Sequence, residues 1–264
     1  MSPQSPVRRD EPGRRGPPVA LPRRGVTLQA PAKLNLFLRV QGRRPDGYHP
    51  IDSLLVPLEL ADTLTLRLAP RRGRAAVSCR CPGHPDLDDL DNLAARAARA
   101  LMDAGRLDLR VELTLHKRIP VAAGLGGGSS GAAAVLRGLG RTLHLPEALV
   151  RAVAPTLGAD VPFFLYGRAA RVGGIGHHVV PLSGLPALDV ALANPGVPLS
   201  TARVYRALDR LETRRGARRS CLRAPPTVPT GTAIQNDLEP IASALVPQVT
   251  HLRALFEEAG ALEV

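Results

Sequence analysis

The sequence is poor in aromatic residues: four Phe, three Tyr and no Trp among 264 residues. A nucleic-acid surface built on base stacking interleaves aromatics with basic residues, and none are placed that way here. Cysteine is equally scarce. Cys79, Cys81 and Cys221 are odd in number and the first two are spaced C-x-C, which supports neither a zinc site nor a disulfide framework and fits a reducing cytoplasm. Long apolar runs are missing. The longest uncharged run, Ile119 to Leu136, holds five Gly and two Ser and reads as a loop and a helix start rather than a membrane span. The N-terminus carries Arg and Pro without an apolar stretch, which argues against a secretory signal.

What is present is a net charge of +12, unevenly placed. Residues 1–24 hold six Arg against Asp10 and Glu11, and residues 206–223 hold seven Arg against Asp209 and Glu212. The remainder is nearly balanced, so the charge reads as two solvated runs rather than a nucleic-acid face. Residues 1–24 are predicted to be a disordered basic tail. Apolar alternation predicts strands at Val26–Ala30, Leu34–Val40, Leu54–Leu60, Leu64–Leu68, Ala75–Cys79 and Leu109–Leu115, then shorter ones at Ala169–Val172, Val179–Leu182 and Asp189–Ala193. Helices are predicted at Leu93–Ala104, Ala132–Leu139, Pro146–Leu157, Ser200–Leu211 and Pro247–Glu258, with an Arg/Pro-rich loop over 213–231. This order gives an α+β fold of two lobes, 25–165 and 166–264.

The strongest chemical signal is Pro120-Val121-Ala122-Ala123-Gly124-Leu125-Gly126-Gly127-Gly128-Ser129-Ser130. Glycines let the backbone turn and approach a ligand closely, and a following helix points its positive end at phosphate. The segment is not a Walker A loop, because no Gly-Lys-Ser/Thr follows, nor a dinucleotide fingerprint, because Ser129 stands where a third Gly belongs. Lys33 and Asn35 lie two apart on a strand and share one face, which on pattern alone is its wet face. Asp160 precedes an apolar run, Phe163-Phe164-Leu165. It reads first as a helix N-cap, and alternatively as a carboxylate able to take a proton from an alcohol. Asp91-Asn92 reads as another cap. His177 and His178 are adjacent, so their side chains should diverge and make a poor metal pair.

Together these segments resemble the GHMP kinases. The resemblance runs from about residue 27 onward and rests on P-A-K-L-N-L-F-L (31–38), R-P-D-G-Y-H (44–49), D-N-L (91–93), G-L-G-G-G-S-S (124–130), G-A-D-V-P-F-F (158–164), N-P-G-V-x-x-S-T (194–201) and N-D-L-E (236–239), in that order. It implies an N-terminal lobe like domain 2 of ribosomal protein S5 and a ferredoxin-like C-terminal lobe, with the site between them. It also implies ATP-dependent phosphorylation of the 2-hydroxyl of 4-diphosphocytidyl-2-C-methyl-D-erythritol, a small-molecule acceptor, with Mg²⁺. Lys33 and Asp160 would form the catalytic pair. The segment 120–130 would hold the ATP phosphates, Asn92 would lie near the adenine, and the Ser130 hydroxyl would contact Mg²⁺, with no further protein ligand set for the metal. Cytosine would stack between Tyr48 and Tyr205 with His49 bonding its edge. Asn35 and Thr201 would sit beside the erythritol and diphosphate.

Two departures from the family pattern stand out. His177 follows Gly174-Ile175-Gly176 where the family carries an acidic residue. A third Gly/Ser-rich loop is expected after the last helix, where this chain stops at Val264. Its absence is expected to weaken nucleotide binding and turnover and to promote aggregation. Other GHMP substrates (homoserine, mevalonate, a sugar) and a basic RNA-binding protein with an S5-like lobe remain the alternatives.

Overall fold

The computed structural model describes residues 25–70, 77–88, 91–215 and 235–261. The basic tail, Cys221 and residues 216–231 of the Arg-rich loop lie outside the described residues.

A long antiparallel ribbon forms the centre. β1 (Val26–Val40) and β2 (Ile51–Pro70) pair along nearly their whole lengths. The alternation predicts two strands in each, because it falters in the middle. In β1 the faltering marks register shifts between Pro31 and Lys33 and between Asn35 and Phe37, and a bulge of this kind re-aims side chains while the ladder continues. The second edge of β2 is divided. Residues 63–70 pair with β4 (Leu109–His116), and residues 51–55 pair with β5 (Ala170–Gly174), both antiparallel. β3 (Val77–Arg80) runs parallel to β4, β6 (His178–Pro181) continues from β5, and β7 (Gln235–Asn236) lies parallel to β1.

Four helices pack on this sheet and on one another: α1 (Leu93–Ala104), α2 (Gly127–Thr142), α3 (Glu147–Leu157) and α4 (Val161–Tyr166). The main core, including Leu64, Leu66, Leu113, Leu101, Leu136 and Phe163, lies between them. Small residues let α2 approach the sheet closely. A Cβ on Gly138 would stand 2.5 Å from Leu28 Cδ1 on β1. A second, smaller cluster of Leu38, Val40, Val204, Leu208 and Ile241 ties the end of β1 to α5 (Thr201–Arg215) and α6 (Glu239–Leu245). α7 (Gln248–Glu258) follows.

The apolar segment at 163–165 lies in the short helix α4, where the cap reading of Asp160 places a helix. Three expectations change. α2 begins at Gly127, five residues before Ala132, so half of the glycine-serine segment is helical. α5 runs on to Arg215, which carries the first arginines of the anticipated loop. Residues 189–193 form no strand: Leu188, Val190 and Leu192 are exposed, and alternation makes a strand only where a neighbour supplies the ladder. Among the described residues no helix is long and apolar enough to cross a membrane.

Candidate active site

The bulges of β1 shape the first half of the site. Lys33 is almost buried, and its Nζ donates to Asn35 Oδ1 at 2.5 Å. Asn35 Nδ2 donates to Ser53 Oγ at 2.7 Å, and that hydroxyl donates to the Phe37 carbonyl at 2.6 Å. This relay fixes the Asn35 amide and holds the ammonium in place. Lys33 and Asn35 are therefore not a wet strand face. The Lys33 backbone N–H also donates to the Leu125 carbonyl at 3.0 Å, which ties the glycine-rich turn directly to the strand.

That turn ends on Gly126, whose φ of +72° makes it the left-handed N-cap of α2. A Cβ there would stand 2.9 Å from both Lys33 Cγ and Phe164 Cζ, so only glycine lets the turn close on the lysine. Beyond it, Gly127, Gly128 and Ser129 form the first turn of α2, and the leading amides of a helix have no acceptors within it. Ser129 faces the open site, whereas Ser130 is 1 % exposed. The Ser130 Oγ has no hydrogen-bond partner, the one such buried side-chain atom among the described residues.

Asp160 occupies the N-cap position of α4, yet its side chain makes no capping hydrogen bond. The carboxylate instead lies 3.9 Å from Lys33 Nζ and is about one-third exposed. The cap reading thus gives way to an acid facing a lysine across the site. Asn92 behaves in the opposite way. It does cap α1, accepting from Ala94 N at 3.0 Å, and its Nδ2 donates to the Leu87 carbonyl at 3.1 Å.

Two cavities meet here. The first, about 1120 Å³, is lined by Asn92, Lys117, residues 120–129, Lys33 and Asn35. The second, about 1680 Å³, is lined by Tyr48, His49, Arg43, His177 and Asp209. Ser129, Asp160, Thr201 and Tyr205 line both, so the carboxylate stands at the junction. In the second cavity Tyr48 is largely exposed, at 60 %, while Tyr205 stacks on His49 with ring centroids 5.4 Å apart. Burial, with the Asp160 charge adding to it, pushes the Tyr205 phenol up to about 12. His177 and His178 do not diverge: their rings lie 4.0 Å apart, because His177 closes a turn while His178 opens β6. Among the described residues no group of three or more His, Cys, Asp or Glu could hold a metal ion.

Sequence reasoning missed Ser53, Asp62, Lys117 and Asp209. Asp62 is fully buried, takes the N–H groups of Arg118 and Ile119 at 2.7 and 2.9 Å, and pairs with the Lys117 ammonium. It anchors the chain entering the glycine turn. The signal available was a carboxylate standing between Ala61 and the alternation Leu64-Leu66-Leu68 of β2.

The family profile described as GHMP kinases N terminal domain matches residues 92–168. A 4-diphosphocytidyl-2-C-methyl-D-erythritol kinase from Anaeromyxobacter dehalogenans is 43 % identical over 89 % of this chain and 75 % of its own. One from Geobacter sulfurreducens is 41 % identical over 90 % and 84 %. The chain belongs to this GHMP kinase family. A crystal structure of a 4-(cytidine 5'-diphospho)-2C-methyl-D-erythritol kinase superposes with a TM-score of 0.66 at 34 % identity, covering 89 % of this chain and 84 % of that one. A homoserine kinase from Cytophaga hutchinsonii, with a TM-score of 0.61 at 18 % identity over 91 % and 81 %, shares the fold. The α+β architecture is thus that of the GHMP kinases. Within it, residues 92–168 carry the Asn92 cap, the glycine turn and Asp160, while Lys33 comes from the strand before them.

Proposed function

We propose that the protein transfers the γ-phosphoryl group of ATP to the 2-hydroxyl of 4-diphosphocytidyl-2-C-methyl-D-erythritol, a step of the non-mevalonate route to isoprenoid precursors. The observation that carries this reading is the uncapped Asp160 carboxylate facing Lys33 at the junction of the two cavities. The substrate comes from the relatives' names and from the segments 44–49 and 194–201. We read residues 25–165 as the nucleotide-binding lobe, residues from 166 onward as the second lobe, and the compartment as the cytoplasm.

ATP enters the first cavity with its adenine near Asn92. Its phosphates lie against the turn 120–126 and the leading amides of α2, where unpaired N–H groups and the positive helix end favour anions. The acceptor enters the second cavity, its cytosine between Tyr48 and Tyr205 beside His49, its chain passing Asn35 and Thr201. At the junction Asp160 takes the proton of the 2-hydroxyl. That oxygen bonds to the γ-phosphorus as the bond to the β,γ-bridging oxygen breaks, and ADP leaves. Phosphoryl transfer demands alignment and charge compensation more than covalent help, and Lys33, steered by Asn35 and Ser53, provides both. Mg²⁺ takes oxygen ligands, substrate phosphates among them, and the unpartnered Ser130 Oγ, one residue beyond the cavity-lining Ser129, is the hydroxyl this chain would offer it. When bound, the ion supplies charge neutralisation on the phosphates.

Asp160→Asn is the test. A general base contributes roughly 10²–10⁴-fold, so ADP release coupled to this acceptor should fall at least about a hundredfold. Because the side chain caps nothing, melting should barely change. Near-normal turnover in the folded variant would remove Asp160 from the chemistry.

A further inference from the structure

The second cavity extends well beyond the junction at Asp160. At its far end it is lined by Arg137 and Arg141 of α2, by His144 in the turn that follows, by Val150 and Arg151 of α3, and by Tyr166 of α4. The helical rise places Arg137 and Arg141 about 12 and 18 Å along α2 from Ser129, so this end is remote from the phosphate turn. The whole cavity, about 1680 Å³, exceeds the roughly 300–1,000 Å³ that one small ligand usually takes, which leaves room for a second.

Each guanidinium has a local reason for its position. Arg141 stands in the last turn of α2, where the helix dipole favours a positive charge. Arg137 donates from Nη1 to the Phe164 carbonyl at 3.1 Å, near the end of α4. Neither reason neutralises the charge. Residues four apart on a helix are neighbours, and like charges at that spacing repel. Among the described residues neither arginine has a carboxylate partner. The nearby acid, Glu147, is committed to Arg151, meeting its Nη2 at 2.6 Å and its Nε at 3.1 Å. Burial, with the Arg141 charge adding to it, pulls the half-buried Arg137 guanidinium below its ordinary range. A guanidinium carries five donors, of which Arg137 uses one, and its planar fork matches phosphate oxygens. Leu145, Val150, Pro155 and Leu165 supply apolar wall in the same cavity.

We propose that the far end of the second cavity is a separate binding site for a phosphate-bearing small molecule, its phosphoryl oxygens held by Arg137 and Arg141. The site takes no part in the transfer and does not depend on the acceptor proposed above.

The experiment is calorimetry on the full chain, saturated with a non-hydrolysable ATP analogue so that the glycine turn is filled. The probes are inorganic phosphate and butyl phosphate. At least one should bind at one further site, and Arg137→Gln and Arg141→Gln should each weaken it about 10- to 100-fold, the usual worth of a hydrogen bond to a charged group. Butyl phosphate binding tighter than phosphate assigns the site to an ester packed on the apolar wall. Butyl phosphate binding no tighter assigns it to free phosphate, and either result supports the proposal. The absence of a further site for both probes, or a site that survives Arg141→Gln unchanged, overturns it. So does displacement of the probe by saturating 4-diphosphocytidyl-2-C-methyl-D-erythritol, because the arginines then belong to the acceptor's own site. If Arg137→Gln does not fold, Arg141→Gln, at an exposed position, still decides. The readout needs no turnover, so a wrong acceptor assignment leaves the test standing.

Discussion

Adding one carbon at Gly126 should break the site. The residue sits at φ +72°, a conformation that costs a non-glycine residue roughly 1–2 kcal/mol. The new Cβ would lie 2.9 Å from Lys33 Cγ and from Phe164 Cζ, well inside the ~3.5–4.0 Å at which carbons rest. Phe164 is 1 % exposed and cannot retreat, so overpacking adds roughly 1–3 kcal/mol. Gly126→Ala should therefore lose about 2–5 kcal/mol, a large share of a stability of about 5–15 kcal/mol. Whatever strain is relieved by pushing Lys33 aside appears in turnover instead, since a displacement of about 1 Å at a reacting site costs on the order of a hundredfold. Two controls isolate the contact. Gly124 has φ +74° with nothing within 4 Å of a Cβ, so Gly124→Ala should cost only the backbone part, roughly 1–2 kcal/mol. Gly128 lies in α2 with its nearest neighbour at 4.0 Å, so Gly128→Ala should be neutral or gain up to about 1 kcal/mol. Urea melts and coupled ADP assays on the three variants supply both numbers. If Gly126→Ala matches Gly124→Ala in stability and turns over normally, the close packing of the turn on Lys33 is not what the site depends on.

Asp62→Ala should cost about 3–5 kcal/mol and raise the KM for ATP, because it strands the nearly buried Lys117 ammonium and two backbone N–H groups at the entry to the glycine turn. The double variant Asp62→Leu/Lys117→Met should recover most of the stability, and a single-variant loss under about 1 kcal/mol would count against the anchor. Tyr205 titrates from an ordinary 10.0 up to about 12 in the folded chain. The folded state thus holds this proton more tightly, so the stability it contributes is full below pH 10 and is lost as pH rises toward about 12. With three Tyr and no Trp, an ultraviolet titration should resolve one late step that Tyr205→Phe removes. Persistence of that step in the variant would reassign it.

Local features were legible from the residues themselves. α1 lies at Leu93–Ala104 as expected, because Asn92 and Gly105 act at its ends through bonds within a few residues. β4 and α3 follow their own periodicity, and the glycine-serine segment announced a close backbone approach. Other features depended on partners far away in the chain. On local pattern Lys33 looked solvated and Asp160 looked like a cap. Only the pairing of β1 with β2, together with the packing of α4 beneath the glycine turn, turned both toward one point. The commitment of His49 to Asp209 spans 160 residues and exists because α5 docks on the end of β1. Residues 189–193 alternate as a strand does, yet form none. Periodicity records which side of a segment tends to be buried, whereas hydrogen bonds and charge pairs require a second segment at a defined distance. The amino-acid order therefore determined most of the helices and the close approach of the glycine turn, and tertiary contact alone decided which polar side chains face one another across the site.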